Sequence, residues 1–136
     1  MTALLDTSVL LAALTENDLQ HARCAAALEQ EDDLILPDVV LPELTYLLIR
    51  DTGYRPVIRF LKALGQGEMP LAAPTTADLS RAADILEKYA DSRVDFVDSV
   101  IVAMAERLNV TRILTLDHRH FSLFRPKHRP NFELVP

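Results

Sequence analysis

The sequence predicts an α/β fold in which a mainly parallel central sheet is covered by helices on both faces. Two observations carry this. Short apolar runs alternate with helical patterns from one end of the chain to the other, and Pro and Gly stand at the edges of the helical stretches. With 136 residues, 49% of them hydrophobic, there is material for one well-formed core, and a single domain over residues 1–136 is expected.

Residues 2–5 read as a short strand ending at Asp6, followed by a helix through Val9 to Leu14. A second helix is expected from about Asp18 to Gln30, with Asp18 as its candidate cap. Leu34 to Leu36 is the second strand. Pro42 suits the first turn of a helix, where its missing N–H is not needed, and ELTYLLIR continues until Gly53 closes it. Pro56 and Gly65 bracket the next helix in the same way. The loosest stretch, GQGEMPLAAPTTAD, carries a short strand near Pro70 to Ala73 and leads into a helix from about Thr76 to Tyr89. Asp95 fits an N-cap, with its helix running through Leu108 and Asn109 as a left-handed C-terminal residue. RILTL is then a strand that leads to Asp117, and FELVP adds an edge strand.

The charge balance is acidic, 20 Asp+Glu against 14 Lys+Arg, which argues against a protein that grips nucleic acid over its whole surface but leaves room for a local basic patch. Cys24 stands alone, so no internal disulfide can form, and a reducing, cytoplasmic setting is the natural expectation. The apolar stretch ALLDTSVLLAAL lacks a preceding positive charge and is interrupted by Asp6, unlike a signal peptide. No run approaches the roughly 18 residues needed to cross a bilayer, so no membrane partner is expected.

Four acids occupy comparable places. Asp6 and Asp117 follow apolar strands, while Glu43 and Asp98 sit in the first turns of helices. In an open α/β sheet, ligands bind in the crevice outside the carboxyl ends of the strands, and the four acids are candidates to share it. Two unit charges 4 Å apart repel by about 4 kcal/mol at an effective dielectric of 20, so such a cluster needs a counter-charge or must bind protons. No Lys or Arg adjoins Asp6, Glu43 or Asp98 in sequence. A hard divalent cation with oxygen ligands, Mg²⁺ or Mn²⁺, would supply the charge. Taken singly, each acid has a plainer explanation as a turn residue, a cap or a first-turn helix acid; Asp98 fits these least, because it points along the face of Ile101, Val102 and Ala105.

At these residues the sequence resembles the PIN-domain family of metal-dependent ribonucleases, in particular the VapC-type toxins of prokaryotic toxin–antitoxin pairs. The matching stretches are LLDTSVLLA, LPELTYLL, VDFVDSVIVAMAERL and ILTLDHRHF. The resemblance implies a three-layer PIN-like sandwich around about five strands. It implies a cytoplasmic endoribonuclease that hydrolyses phosphodiester bonds of RNA with Mg²⁺ or Mn²⁺ held by Asp6, Glu43, Asp98 and Asp117. Ser8 and Thr115 become supporting hydroxyls. Asp95 reads as the helix cap, with a role on a second ion through water as the alternative. The resemblance also implies a homodimer silenced by a cognate antitoxin, for which an antitoxin Arg entering the acid cluster is one means. The apolar excess of LTYLLIR and VIRFLKAL offers a surface for such a partner, unless it is core.

Residues 118–129, HRHFSLFRPKHR, hold four Lys or Arg and no acid directly after Asp117. Arg119, Arg125, Lys127 and Arg129 are therefore candidates to grip RNA phosphates, with Phe121 or Phe124 as stacking surfaces or, alternatively, core residues. His118 and His120 form an H-x-H pair, a weak metal-ligand signal without further soft ligands. Two other activities compete. A catalytically silent PIN-like binding module would keep the acids without turnover. A Mg²⁺-dependent phosphoryl-transfer domain would also place Asp at strand ends, but Ser8 stands where a dehalogenase-type phosphatase needs its second Asp.

Overall fold

The computed structural model describes residues 1–136, and its elements follow the expected alternation. Strand β1 (Thr2–Leu5) leads into helix α1 (Thr7–Leu14) and then α2 (His21–Glu29). After β2 (Asp33–Pro37) and a single 3₁₀ turn come α3 (Leu41–Thr52) and α4 (Tyr54–Gly65). β3 (Leu71–Ala72) precedes α5 (Thr76–Lys88), and α6 (Phe96–Leu108) runs to β4 (Arg112–Leu114). The short helix α7 (His118–Phe121) and the edge strand β5 (Glu133–Val135) complete the chain. No helix is long and apolar enough to cross a membrane.

All four strand pairings are parallel, in the order β3-β2-β1-β4-β5. The chain winds outward from β1 through β2 to β3, then returns to the other side of β1 for β4 and β5. The order therefore reverses between β1 and β4, and a crevice opens outside their carboxyl ends. β1 is the central strand: Ala3, Leu4 and Leu5 have no exposed surface, which requires cover on both faces of the sheet. Helices α1 to α4 pack among themselves and α5 packs on α6, giving the two helical groups of a PIN-like α/β layering.

Helix α6 explains its own composition. Residues Asp98 to Ala105 are all buried, so an apolar stripe on one face would not suffice and the helix is apolar nearly all round. Asp95 caps it as expected, its carboxylate accepting from the Asp98 N–H at 2.9 Å. Asn109 closes it in the left-handed region at φ 55°. Gly53, at φ 83°, separates α3 from α4 in a backbone conformation that side-chain-bearing residues rarely adopt.

Local expectations needed adjustment at two places. Asp18 does not cap α2; its carboxylate accepts from the Gln20 N–H at 2.7 Å, forming a turn, and the helix begins only at His21. The strand expected over RILTL stops at Leu114. Beyond it, the hydroxyl of Thr115 receives the Asp117 N–H at 2.9 Å, which turns the chain out of the sheet.

Candidate active site

The end of β1 is joined to the end of β4 by a small set of hydroxyl bonds that also fix the first acid. The Asp6 N–H donates to the carbonyl of Leu114 at 3.0 Å, continuing the ladder one step beyond β1. Its carboxylate then accepts the Thr7 N–H at 2.8 Å on one oxygen, and the hydroxyls of Thr115 at 2.8 Å and Ser8 at 3.2 Å on the other. The Ser8 hydroxyl in turn receives the Leu116 N–H at 2.9 Å. Ser8 and Thr115 thus hold Asp6 in one orientation and position the backbone that leads to Asp117.

Helix α3, helix α6 with its cap, and the turn between β4 and α7 bring the remaining acids to the same place. Asp6, Ser8, Glu43, Asp95, Asp98 and Asp117 line one cavity of about 230 Å³, with Thr7, Leu11 and Leu47. Asp6 and Asp98 are buried at 6% exposure each, Asp117 is half-buried, and Glu43 and Asp95 stand exposed at the rim. Glu43 reaches the cavity because it lies in the first turn of α3, with Leu47 one turn further on the same face. No Lys or Arg lines the cavity.

The two buried acids differ in support. Burial pushes the Asp6 carboxyl up, while the hydrogen bonds from Thr115, Thr7 and Ser8 oppose that and the charge of Asp117 adds to it. Asp98 has no such donors. Burial first, then the charges of Asp6, Asp95, Asp117 and Glu43, raise its carboxyl from the ordinary 3.8 to about 8. A carboxylate in this position, without a hydrogen-bond donor or a cation, could serve a hard positive ion: the donor atoms around it are oxygens, and no positive charge lies among them.

A PIN-domain profile matches residues 3–125. The chain belongs to the PIN-domain family. Among curated relatives, it is 34% identical over 134 residues to ribonuclease VapC26 of Mycobacterium tuberculosis, covering 98% of this chain and 99% of the relative. Two solved structures share the fold. The M. tuberculosis VapC20 toxin, described as cleaving the sarcin–ricin loop, superposes with a TM-score of 0.74 at 19% identity, over 82% of this chain and 86% of that one. A toxin–antitoxin complex from Klebsiella pneumoniae gives 0.71 at 18% identity, over 98% and 96%.

This PIN domain therefore gathers every acid that the sequence singles out. A histidine adjoins them. The His120 ring donates from Nδ1 to the Asp117 carboxylate at 2.9 Å, and one ligand atom each of Asp98, Asp117 and His120 lie within 4.8 Å of one another. His118, its partner in the H-x-H pair, is exposed and outside this group. The signal that finds His120 is its place three residues after Asp117 in α7, which brings it back over that acid.

Phe121 and Phe124 are not stacking surfaces. They are buried at 0% and 1% exposure and pack edge-to-face with each other and, for Phe124, with Tyr89. The basic run around them divides. Arg119 is exposed beside Asp117, and Arg129 is exposed near the end of the run. One Arg125 guanidinium nitrogen donates to the carbonyls of Ser122, Leu123 and Phe124, bracing its own turn. The Lys127 N–H donates to Glu106 at 2.7 Å, eight residues along α6 from Asp98 and thus about 12 Å from it.

Proposed function

We propose that this PIN domain is a divalent-metal-dependent endoribonuclease and the toxin of a toxin–antitoxin pair, acting in the cytoplasm. One observation carries the reading: Asp98 is buried among four other acids with no cation beside it. Asp6, Asp98 and Asp117, with Glu43 from the rim, would hold Mg²⁺ or Mn²⁺; Asp95 stays a helix cap whose charge adds to the cluster. Such an ion, when bound, lowers the pKa of water and stabilises charge developing on a phosphodiester. The chain's own residues perform the rest. Thr115 and Ser8 keep Asp6 from rotating, Leu11 and Leu47 limit water at the cavity wall, and the acids repel a phosphate that arrives without a cation.

RNA is the substrate in this reading, supported by membership of the family and by the relative named as a ribonuclease. Arg119, exposed two residues after Asp117, would be the first phosphate contact, with Lys127 and Arg129 extending the track and Arg125 able to join it only by leaving the carbonyls it braces. An antitoxin partner is supported by the toxin–antitoxin complex that shares the fold. Its place is the apolar groove of about 510 Å³ lined by Leu10, Leu14, Leu28, Phe60, Leu64 and Met69, and an Arg from it entering the acid cavity would inhibit by charge. Tyr46, Tyr54, Ile58 and Leu61 are exposed on α3 and α4 and supply apolar surface for a homodimer.

The test is cleavage of single-stranded RNA by the purified protein. EDTA should stop it, added Mn²⁺ or Mg²⁺ should restore it, and Asp98→Asn should remain inactive under all three conditions. Cleavage that survives EDTA, or full activity in Asp98→Asn, would refute the assignment.

A further inference from the structure

We infer that His120 is a direct metal ligand, so that the ion held by Asp98 and Asp117 sits in a mixed nitrogen and oxygen site that favours Mn²⁺ over Mg²⁺. This rests on the metal-site reading above and adds to it a ligand that the four acids do not include.

Three observations support it. The ligand atoms of Asp98, Asp117 and His120 lie within 4.8 Å of one another, so side-chain shifts of roughly a few tenths of an ångström would bring all three to a single small ion with bonds of about 2.1 Å. The Asp98 carboxylate, at 6% exposure, faces the cavity without a hydrogen-bond donor. His120 and Asp117 are partly exposed, at 26% and 34% of their side chains, so both remain reachable from solvent.

The spacing of the His120 and Asp117 pair fits the proposal. Nδ1 of His120 and Oδ2 of Asp117 are 2.9 Å apart. Two neighbouring ligands of an octahedral ion with bonds of about 2.1 Å are separated by about 3.0 Å, so the two atoms can turn to a shared ion with little change in their separation. The backbone prepares this arrangement: the Asp117 carboxylate also accepts the His120 N–H at 3.1 Å, which fixes the turn from which both side chains project.

Imidazole changes which ion is preferred. Mg²⁺ takes oxygen ligands and gives up its waters reluctantly, whereas imidazole suits the divalent transition metals. An all-carboxylate site would discriminate weakly between Mg²⁺ and Mn²⁺; a site with one imidazole should weaken for Mn²⁺, and much less for Mg²⁺, when that ring is removed.

Pulsed EPR of the full-length protein loaded with Mn²⁺ tests this without reference to turnover. The wild type should show the ¹⁴N coupling of a directly bound imidazole. His120→Gln should lose it and bind Mn²⁺ at least about tenfold more weakly with Mg²⁺ affinity little changed, while His118→Gln should retain the coupling. Bound Mn²⁺ without a nitrogen coupling in the wild type would overturn the inference and leave the acid site standing, even if His120→Gln lowered affinity, because His120 would then only orient Asp117. No Mn²⁺ binding by the wild type would overturn the metal site itself and this inference with it.

Discussion

Two groups of carboxylates, each with buried members, are treated in opposite ways in this small domain. On the α5 and α6 side, each is paired. Arg107 reaches Asp78 at 2.9 Å and Arg81 reaches Glu106 at 2.7 Å, and at the start of β4 Arg112 joins Glu31 at 2.9 Å and Glu133 at 3.0 Å. These acids also have structural duties: Asp78 completes the capping box of α5, and Glu106 receives the Lys127 N–H. At the carboxyl ends of β1 and β4, Asp6 and Asp98 are buried as deeply, yet no Lys or Arg lines their cavity. Within one chain, the charge of the acids is balanced internally in one region and left unbalanced in the other, where the proposed metal ion would supply it. Buried carboxylates without a cationic partner are more often found at functional sites than in structural ion-pair networks.

Substitutions can break this contrast at either end. The largest effect is expected at Asp98: replacement by Asn should lower RNA cleavage by on the order of 10³-fold or more, measured by single-turnover assays. The same variant should change the pH dependence of the metal-free fold. Because the folded-state carboxyl is raised to about 8 from 3.8, the folded protein holds a proton there that the unfolded chain has released. Wild-type stability in EDTA should therefore fall as pH rises from about 4 to about 8. Asp98→Asn should flatten that decline and be the more stable protein at pH 8 by a few kcal/mol, as read by urea unfolding.

Next in size is the support beneath Asp6. Thr115→Val removes the hydroxyl that donates to Asp6 and receives the Asp117 N–H. Mn²⁺ affinity should drop about 10- to 100-fold in a calorimetric titration, since two ligands lose their common support. The paired region should respond in the opposite sense. Arg81→Met leaves Glu106 buried with its main partner gone and should cost roughly 1–3 kcal/mol in urea unfolding while leaving Mn²⁺ binding unchanged. The smallest effect is expected in the exposed basic run: Arg119→Ala should reduce the salt slope of RNA binding by about 0.7, the contribution of one phosphate contact on a single strand.

Much of this was legible in the sequence because the informative residues lie where elements end. Asp6 after an apolar strand, Asp95 three residues before Asp98, and Asn109 after the last turn of α6 each announce a boundary through local chemistry, and each boundary is observed. The convergence of Asp6 and Asp117 followed from parallel strands alone, since parallel neighbours end on the same side. What depended on tertiary packing was less legible. Phe121 and Phe124 sit in a basic, polar stretch that looks like surface, but their rings close the core under the loop after α7. Asp18 has the residue type of a cap, yet it serves a turn one step earlier. His120 was hidden because a four-residue helix shows no periodicity, and only that helix brings the ring back to Asp117.

The most direct measurement is calorimetric titration of Mn²⁺ into the metal-free wild type and into Asp98→Asn at pH 8. Saturable binding to the wild type, at least about tenfold weaker in the variant, is the predicted result. Equal binding by both proteins, or none by either, would contradict the claim that the acids at the ends of β1 and β4 await a cation.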